Sequence, residues 1–575
     1  MNKKLLALML ALCLVLSLAA CGGAAASSAP ADASASGETA AASEDTTPAA
    51  EDAAQPADDT QEAAPDASAE EADAEAPEET AEVPPTELPL SDGSETFQVW
   101  MGISPAAMNY ISSLAENETY KEIMNRTGVN LEFIHFHPST ETEEFNLVMA
   151  SGDYPDVMNG VANNYTGGAD QGIEDEVFLD LNDYLEDCAP HYYSIIHSDK
   201  SLYEAVTTPE GAAVGFYSVY EEPRLNDIGY IIRQDWLTKL GLETPKTYDQ
   251  LHEALAGFKD EFGATDALFI PASGVSDTFI AGFDVGSGMY LDGDTVKYGP
   301  LEEGYKEYLQ LMADWYAEGL IYHDFPFYGN ELNFRDPGAV GAGQVACFRS
   351  ETGDMAMFGD FSEDPDILFT AMAPVGKNEG DTIHMTDMAP SRADTLRWSV
   401  TTGCEDPELI IAMVDYLYSE EGALLCNYGI EGETFDFDEQ GVPHFSDLIY
   451  NNPEYDYRTA VFIYVMDAGP TVVDPMRGAG TYTQEQLDSW GIWAADNLDY
   501  SGVIPARVTL KAEDSEYNNI ASDIETFMDE YTVKYVTGEL SFDTYDTDFV
   551  EKLRSMDAER MVELYQDAYD EYLAG

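Results

Sequence analysis

The stretch that decides the fold is Ala150–Val157, which reads ASGDYPDV and follows the apolar segment FNLVM. Gly152 can take a positive φ and so end a helix, and Pro155 presets a turn. Val157 and Met158 then start the next strand. A helix, a turn and a strand in such close succession predict an α/β protein.

The flanking segments continue this alternation. TFQVWM at Thr96–Met101 and NLEFIH at Asn130–His135 are predicted strands, separated by a helix around residues 110–127. Thr247 with Gln250 forms a capping box for a helix that we expect to end at Gly263.

A second well-marked helix begins in CEDPELIIAMVDYLYSEEG, residues 404–422. Asp406 is its predicted N-cap, and Pro407 stands at the first helical position.

The N-terminus has the layout of a secretory signal, with Lys3 and Lys4, an apolar run from Leu5 to Leu18, and then small residues. The run is too short to span ~30 Å of hydrocarbon comfortably. We therefore predict a signal peptide over residues 1–20. LAAC at residues 18–21 resembles a bacterial lipobox, which implies that Cys21 carries a diacylglyceryl group; an ordinary cleavage site is the alternative. Two or more acyl chains would anchor the protein stably.

The segment that follows Cys21 is rich in Ala, Ser, Thr, Pro, Asp and Glu and has no aromatic residue, Lys or Arg. Its only large aliphatic residues are Val83, Leu88 and Leu90. Such a composition cannot bury enough apolar surface to offset the entropy of ordering. We predict a disordered linker over residues 21–95.

The net charge of −85 argues against nucleic acid or an anionic membrane surface as a partner, since both require clustered Lys and Arg. We expect contact with the membrane through the lipid alone, at the extracytoplasmic face of the cell membrane. The body contains four scattered cysteines with no CxxC pair, Cys188, Cys347, Cys404 and Cys426. Free thiols and one or two disulfides are both compatible with this spacing.

Several motifs, in order along the chain, resemble those of family 1 extracellular solute-binding proteins of ABC importers, and most closely the lipoprotein branch that takes up sugars. Besides ASGDYPDV, they are FLDLNDYLEDCAP (178–190), IIRQDWLTKLGLETPKTYDQL (231–251), WYAEGLIYHDF (315–325), APVGKNEG (373–380), CEDPELIIAMVDYLYSEEG (404–422), NYGIEGETF (427–435) and the C-terminal segment from TGELSF onward. The resemblance covers nearly the whole body.

This resemblance implies the type II periplasmic-binding-protein fold, in which two α/β lobes are joined by a hinge and enclose a ligand cleft. By analogy, lobe 1 comprises residues 97–225 and 376–448, and lobe 2 comprises residues 226–375 and 449–575. It further implies a lipid-anchored, monomeric substrate-binding protein that captures an oligosaccharide and delivers it to a membrane permease. A peptide or another polar solute is the alternative ligand on the same scaffold.

A sugar site requires planar aromatic side chains for stacking and polar groups for exchanging hydrogen bonds. Relatives that bind sugars carry ligand contacts directly after ASGDYPDV, and this selects Asn159, Asn163 and Tyr165. Further candidates come from segments predicted to border the cleft: Tyr217 before the hinge, Phe279 after Pro271, Arg349 after a predicted strand, and Trp398 and Trp490 in polar or loop-like surroundings.

Four residues within the motifs that resemble the family are expected to be structural rather than functional. Trp236 and Trp315 are assigned to the core, and Arg233 and Asp235 to structural hydrogen bonding.

A surface glycan hydrolase or lyase is the alternative of a different class, but GxSxG, HExxH, GxGxxG and P-loop motifs are missing from the sequence. We therefore expect no catalytic residues and no cofactor. His135 and His137 could face the same side of a strand, but no third metal ligand is evident. Asp436–Gly441 faintly resembles the start of a calcium loop, with Asp447 in place of the closing Glu, so calcium remains open.

Overall fold

The computed structural model describes residues 83–575 except 106, 225–226, 329–331, 356–357, 359–361, 363, 468, 509, 511–514 and 575. The predicted signal peptide, Cys21 and the acidic segment up to residue 82 lie outside the described residues. The last part of the predicted linker is ordered, which corrects the prediction. Leu88 and Leu90 pack against the first core, and the N–H of Leu90 donates to the carbonyl of Thr127 at 2.8 Å. These leucines are two of the three large aliphatic residues in the segment, so they supply apolar area that the rest of the segment lacks.

The strands and helices alternate along the chain as α/β logic predicts. The strands are β1 Thr96–Trp100, β2 Asn130–Ile134, β3 Val157–Asn159, β4 Phe216–Arg224, β5 Ile228–Arg233, β6 Met289–Asp292, β7 Thr295–Tyr298, β8 Cys347–Glu351, β9 Phe369–Met372, β10 Ile383–His384, β11 Ser391–Val400, β12 Phe435–Phe437, β13 Pro443–Phe445 and β14 Leu498–Asp499. The α-helices are α1 Glu118–Thr127, α2 Glu141–Ser151, α3 Gly168–Glu174, α4 Asn182–Cys188, α5 Pro190–His197, α6 Lys200–Val206, α7 Gln234–Leu240, α8 Tyr248–Gly257, α9 Asp277–Ile280, α10 Glu303–Ala317, α11 Pro337–Gly341, α12 Pro407–Tyr416, α13 Glu420–Tyr428, α14 Asp447–Tyr450, α15 Tyr457–Tyr464, α16 Gln484–Trp493, α17 Ser515–Val536, α18 Glu551–Ser555 and α19 Ala558–Ala574.

The first core surrounds a five-stranded sheet of order β2-β1-β3-β11-β4. β1 runs parallel to β2 and β3, whereas β11 runs antiparallel to both β3 and β4. The stretch after α15 extends this sheet, because Val219 exchanges backbone hydrogen bonds with Thr471 and Val473. Parallel strands bring their carboxyl ends to one edge, which places the loops after β1 and β3 side by side.

The second core surrounds a three-stranded antiparallel sheet of order β8-β5-β9. Buried residues of α7, α8 and α10 pack in this core together with residues of the C-terminal helices α17 to α19. The chain passes between the two cores after β4, before β11 and again between Asp474 and α16.

The contacts of two segments differ from the predicted lobe boundaries. Ile383 pairs with Leu498, and Met385 packs beside Ala281, so the residues just after 376 belong with the second core. Met466 is part of the first core, so the residues just after 449 belong with that core instead. Sequence motifs mark the elements but not the point at which the chain crosses, because crossing depends on which core an element packs against.

The stretch that opened the sequence analysis folds as predicted. α2 ends at Ser151, Gly152 has a φ of +67°, and β3 begins at Val157. The helix predicted around residues 110–127 is shorter, because Asn117 caps it by accepting a hydrogen bond from the N–H of Tyr120.

Both predicted N-caps are confirmed, but the capping box at Thr247 is only half formed, because the side chain of Gln250 accepts from the N–H of Lys246 and not from that of Thr247. The side chain of Thr247 accepts from the N–H of Gln250, and that of Asp406 accepts from the N–H of Leu409. Gly263, with a φ of +78°, ends the π-helical turn that continues α8.

The structure also decides the predictions for the two core tryptophans and for the four cysteines. Trp236 and Trp315 are 5% and 3% exposed, as predicted for core residues. Of the two alternatives for the cysteines, the structure has free thiols at Cys188, Cys347, Cys404 and Cys426.

Candidate ligand-binding cleft

The first wall of the cleft lies at the carboxyl ends of β1 and β3. A recess of about 320 Å³ is lined by the loop 101–104 after β1, by Asn159 at the end of β3, and by Phe462, Val465 and Asp467. Loops at this edge of a sheet are where α/β proteins bind ligands.

Asp467 provides a carboxylate in this recess. Its side chain is 47% exposed. The surrounding protein still raises its pKa by desolvation. Arg477 fixes the loop that carries it, because its guanidinium donates to the carbonyls of Met466 and Asp467 at 2.9 and 2.7 Å. The recess therefore offers a solvent-exposed hydrogen-bond acceptor on a backbone that Arg477 holds in place.

An aromatic group lies where the chain crosses between the cores. The guanidinium of Arg224 lies 4.8 Å from the ring centroid of Tyr220 and 5.1 Å from that of Trp490. Tyr482 meets Trp490 edge-on at 6.0 Å, and Trp490 Nε1 donates to the hydroxyl of Thr352 at 2.9 Å. Tyr220 comes from the first half and Trp490 from the second, so this group joins the halves.

Oppositely charged side chains of the two halves lie near enough in the same region for their charges to interact. The pKa of Asp354 is raised, first by burial and next by the negative charge of Glu351, and the positive charges of Arg335 and Arg458 offset only part of this rise. Arg458 lies on α15 of the first half and Asp354 just after β8 of the second. Arg335 is held by Glu351, with 2.7 Å between Nη2 and Oε1. Arginines and carboxylates beside aromatic rings are the groups that exchange hydrogen bonds with sugar hydroxyls.

A smaller recess of about 150 Å³ lies at the edge of the second sheet, and we assign it to the second wall of the candidate cleft. Arg349 lies in its lining and donates through Nη1 to Asn333 Oδ1 at 2.9 Å. Asp277 and Asp387 line the same recess. Burial, with the negative charge of Asp277 as the next cause, raises the pKa of Asp387 to about 6.

The raised pKa of Asp387 leads to a prediction for stability. Because the folded state holds this proton more tightly than the unfolded state, the free energy of unfolding should fall as the pH rises from about 4 to about 6. We expect Asp387→Asn to raise the free energy of unfolding at pH 7 by about 1 kcal/mol, a value reduced for screening because the side chain of Asp387, although partly desolvated by the protein around it, still reaches solvent. Urea unfolding at pH 7 and pH 4 measures this, and the gain should disappear at pH 4.

The charged and polar groups around Asp387 are Asp277, Arg349 and the hydroxyl of Tyr500. A control is Asp260→Asn, an exposed carboxylate on the turn after α8, which should change stability equally little at both pH values. A gain for Asp387→Asn that is as large at pH 4 as at pH 7 would contradict the assignment.

The structure brings together two pairs of the predicted ligand residues in the first half. Asn159 and Trp398 are direct cross-strand neighbours, and Asn159 Oδ1 and Trp398 Nε1 are buried without a partner among the described residues. Asn163 Nδ2 donates to the hydroxyl of Tyr217 at 3.3 Å. Tyr165 has other partners, since its hydroxyl donates to Asp175 and its ring meets Phe178 edge-on.

The predicted surroundings of two residues are wrong. Trp398 lies on the central strand β11 and is fully buried, not in a loop. Trp490 lies within the helix α16, where it is half-buried.

Phe279 is fully buried and packs on Tyr230 at 4.4 Å, in the second core. A single aromatic residue in polar sequence does not reveal its strand partners, so these placements required the fold.

Sequence reasoning missed most of the charged residues of the cleft. Arg224, Asp354 and the pair Arg458 and Asp467 come from three distant parts of the sequence and carry no local motif. Tyr220 could have been found, since a β-strand places every second side chain of GFYSVYEEPR on one face.

The candidate metal residues have other roles in the structure. Asp436–Gly441 forms one strand and the turn of the β12–β13 hairpin, where Asp438 Oδ1 accepts from the N–H groups of Gln440 and Val442. His135 binds the carbonyl of Met101 and the N–H of Leu114. Within the described part of the chain, no three His, Cys, Asp or Glu residues are grouped to hold a metal ion. In that same part, no helix is long and apolar enough to cross a bilayer.

Two α/β halves, each with its own sheet and core, and a cleft at their crossings define the type II periplasmic-binding-protein fold. The chain belongs to the bacterial extracellular solute-binding protein family, whose model matches residues 111–424.

Several characterised proteins are similar to the chain over most of its length. The polygalacturonan/rhamnogalacturonan-binding protein YtcQ of Bacillus subtilis (strain 168) is 22% identical over 486 residues, which are 81% of this chain and 91% of that protein. Lipoprotein LipO of the same organism is 25% identical over 363 residues, 59% of this chain and 67% of its own length. An HMO-binding, ABC-transporter-associated solute-binding protein from Bifidobacterium longum infantis ATCC 15697 has a TM-score of 0.65 at 18% identity, covering 84% of this chain and 99% of that one. These similar proteins are binding proteins rather than enzymes by name, apart from LipO, whose name states only a lipoprotein.

Proposed function

We propose that this protein is the lipid-anchored substrate-binding subunit of an ABC importer, and that it captures an oligosaccharide in the cleft between its two halves. The observation that carries the proposal is the group of Tyr220, Trp490, Arg224, Asp354 and Arg458 at the crossings. Planar rings stack on the apolar faces of sugars, while the guanidinium and carboxylate groups exchange hydrogen bonds with their hydroxyls.

The mechanism is binding and closure without covalent chemistry. A ligand that touches both halves stabilises the closed arrangement by its differential affinity for it, and a permease can recognise that arrangement. We propose that Asp354 of the second half and Arg458 of the first half share such a ligand. We propose that the chain acts as a monomer, since one copy provides both walls of the cleft.

The proposed anchor rests on the sequence around Cys21 and is supported by the similarity to a protein named as a lipoprotein. The acidic segment after Cys21 would allow the binding body to reach away from the bilayer while staying close to its permease.

Thermal unfolding of the mature chain with a panel of glycans and peptides tests the proposal. A true ligand raises the Tm through linkage and remains unchanged at the end of the incubation. Stabilisation by peptides alone would overturn the assignment to oligosaccharides. Turnover of the stabilising glycan, followed by chromatography, would overturn the assignment to binding without chemistry and favour a hydrolase or lyase.

Trp490→Ala is predicted to weaken binding of the glycan that the panel identifies by about 10- to 100-fold, because a stacked ring contributes on the order of 1–3 kcal/mol. Isothermal titration calorimetry measures the change in Kd. Tyr531→Ala is a matched control, since Tyr531 is also a half-buried helical aromatic residue but stacks on Phe527 in α17. Equal affinity of Trp490→Ala and wild type would remove Trp490 from the site.

A further inference from the structure

The recess in the second wall is built from several separate segments of the chain. Gly229 at the start of β5, Met372 at the end of β9 and Asp277 of α9 contribute to it, and so do Asp387 before β11 and Tyr500 after β14. Its volume of about 150 Å³ is that of a cavity able to hold one benzene-sized ring. This size limits the recess to a single sugar unit, part of which would stay in the open cleft, and leaves no room for an internal stretch of chain.

One side of this recess is apolar. Met372, Met385, Met388, Leu498 and Trp493 contribute to its lining. Trp493 is fixed in place, because its Nε1 donates to the carbonyl of Tyr230 at 2.9 Å. Thioether and indole groups pack well against the C–H face of a sugar ring, and flexible methionines can adapt to its outline.

The other side presents polar atoms that lack partners. Asp277 Oδ1 and the hydroxyl of Tyr500 are buried and make no hydrogen bond to any residue that the structure describes. Buried polar atoms are almost always hydrogen-bonded, so these two atoms point to a missing partner. A carboxylate oxygen can only accept, and the partner that it lacks is a donor such as a sugar hydroxyl.

The charges in the recess favour an uncharged partner over an anionic one. Asp277 and Asp387 lie close enough for the charge of one to act on the other, against a single cation, Arg349. Arg349 is already engaged by the side-chain oxygen of Asn333. A sugar carboxylate placed here would meet two like charges in a partly desolvated space, whereas hydroxyl groups would donate to both.

On the basis of the proposed function, we propose that this recess holds a single uncharged sugar unit of the bound oligosaccharide by its hydroxyl groups and excludes a uronic acid unit. The specificity would then differ from that of YtcQ, which is named for binding polygalacturonan, a polymer of uronic acid. Met388 and Leu498, the partly exposed apolar residues of the lining, would support the ring, and Asp277, Asp387 and Tyr500 would select its hydroxyls.

The test compares neutral trisaccharides with their uronic acid counterparts in the galacto, gluco and manno configurations, by titration calorimetry of the mature chain. We expect at least one neutral trisaccharide to bind about 30-fold or more tightly than its uronic counterpart. If each uronic acid trisaccharide binds as tightly as its neutral counterpart, this inference is overturned and the proposed function stays intact. The proposed function fails as well if neither series of trisaccharides binds and if glycans of greater length also do not stabilise the protein.

Variants separate this recess from the rest of the cleft. Asp277→Asn and Asp387→Asn are each expected to weaken the neutral ligand about 10-fold and to narrow the discrimination against its uronic counterpart. Asp260→Asn should bind as the wild type does. Tm values show that each variant is folded. Unchanged affinity and unchanged discrimination in both recess variants would overturn the assignment.

Discussion

Replacing Cys21 by alanine is expected to reduce the incorporation of labelled palmitate into this protein to background. If the thiol of Cys21 is the attachment point of a diacylglyceryl group, no other atom of the mature N-terminus can take its place. Each buried CH₂ of an acyl chain contributes about 0.8 kcal/mol to membrane binding, and two chains together give stable anchoring. The loss of both chains is thus the largest single change that we predict for the protein.

Cys13→Ala is the matched control, because Cys13 lies inside the apolar run of the predicted signal and should leave labelling unchanged. A second version, with residues 1–21 replaced by the signal of a secreted protein, should appear in the culture medium with its ligand affinity intact. Label retained by Cys21→Ala, or a membrane-bound second version after a high-salt wash, would contradict the lipid anchor.

Asp235→Ala is expected to lower the free energy of unfolding by about 3–5 kcal/mol. Arg233, only 2% exposed, donates to both carboxylate oxygens of Asp235 at 2.7 and 2.8 Å. Its guanidinium also stacks on Trp236, 4.0 Å from the ring centroid. Removing the carboxylate leaves this buried cation with the half-exposed Asp364 as its nearest acidic partner, at 3.2 Å.

The pKa of Asp235 supports the same conclusion. Burial by itself would raise it, but the hydrogen bonds and charge of Arg233 outweigh burial and leave it lowered. Since the folded-state pKa lies below the unfolded value, the stabilisation is present at neutral pH and is lost as the pH falls through the folded-state pKa.

Urea unfolding at pH 7 measures the effect of Asp235→Ala. Lys239→Ala removes a 43% exposed partner of the same carboxylate and should cost less than about 1 kcal/mol. Replacing both partners, Arg233→Met with Asp235→Leu, should recover much of the loss, because no uncompensated charge remains. A loss below about 1 kcal/mol in Asp235→Ala would show that Asp364 alone can compensate Arg233.

The elements of the fold were predictable where local chemistry is sufficient. Gly152 ends a helix because a positive φ suits glycine, and Thr247 and Asp406 cap helices because their side chains accept from nearby N–H groups. The assignment of Trp236 to the core followed equally from its position in a recognised motif.

The cleft was only partly predictable, because its residues come from distant parts of the chain. Asn159 and Arg349 were selected from the sequence and line recesses, whereas Asp354, Asp387 and Arg458 were not. Trp398 shows the opposite error, since a polar sequence neighbourhood concealed a fully buried strand position. Burial on a strand depends on what packs against both faces of the sheet, and no local pattern records this.

The sequence by itself determined the class of the protein, through the alternation of helices and strands and the ordered motifs of the family, and it predicts the signal, the lipobox and the acidic linker. These features depend on interactions within a few residues, or on composition, and both can be read along a chain. The tertiary structure alone decided which segments belong to which half, that Leu88 and Leu90 are ordered, and which charges meet in the cleft. Those outcomes depend on contacts between residues hundreds of positions apart, such as Arg224 with Trp490, and only the folded chain brings such residues together.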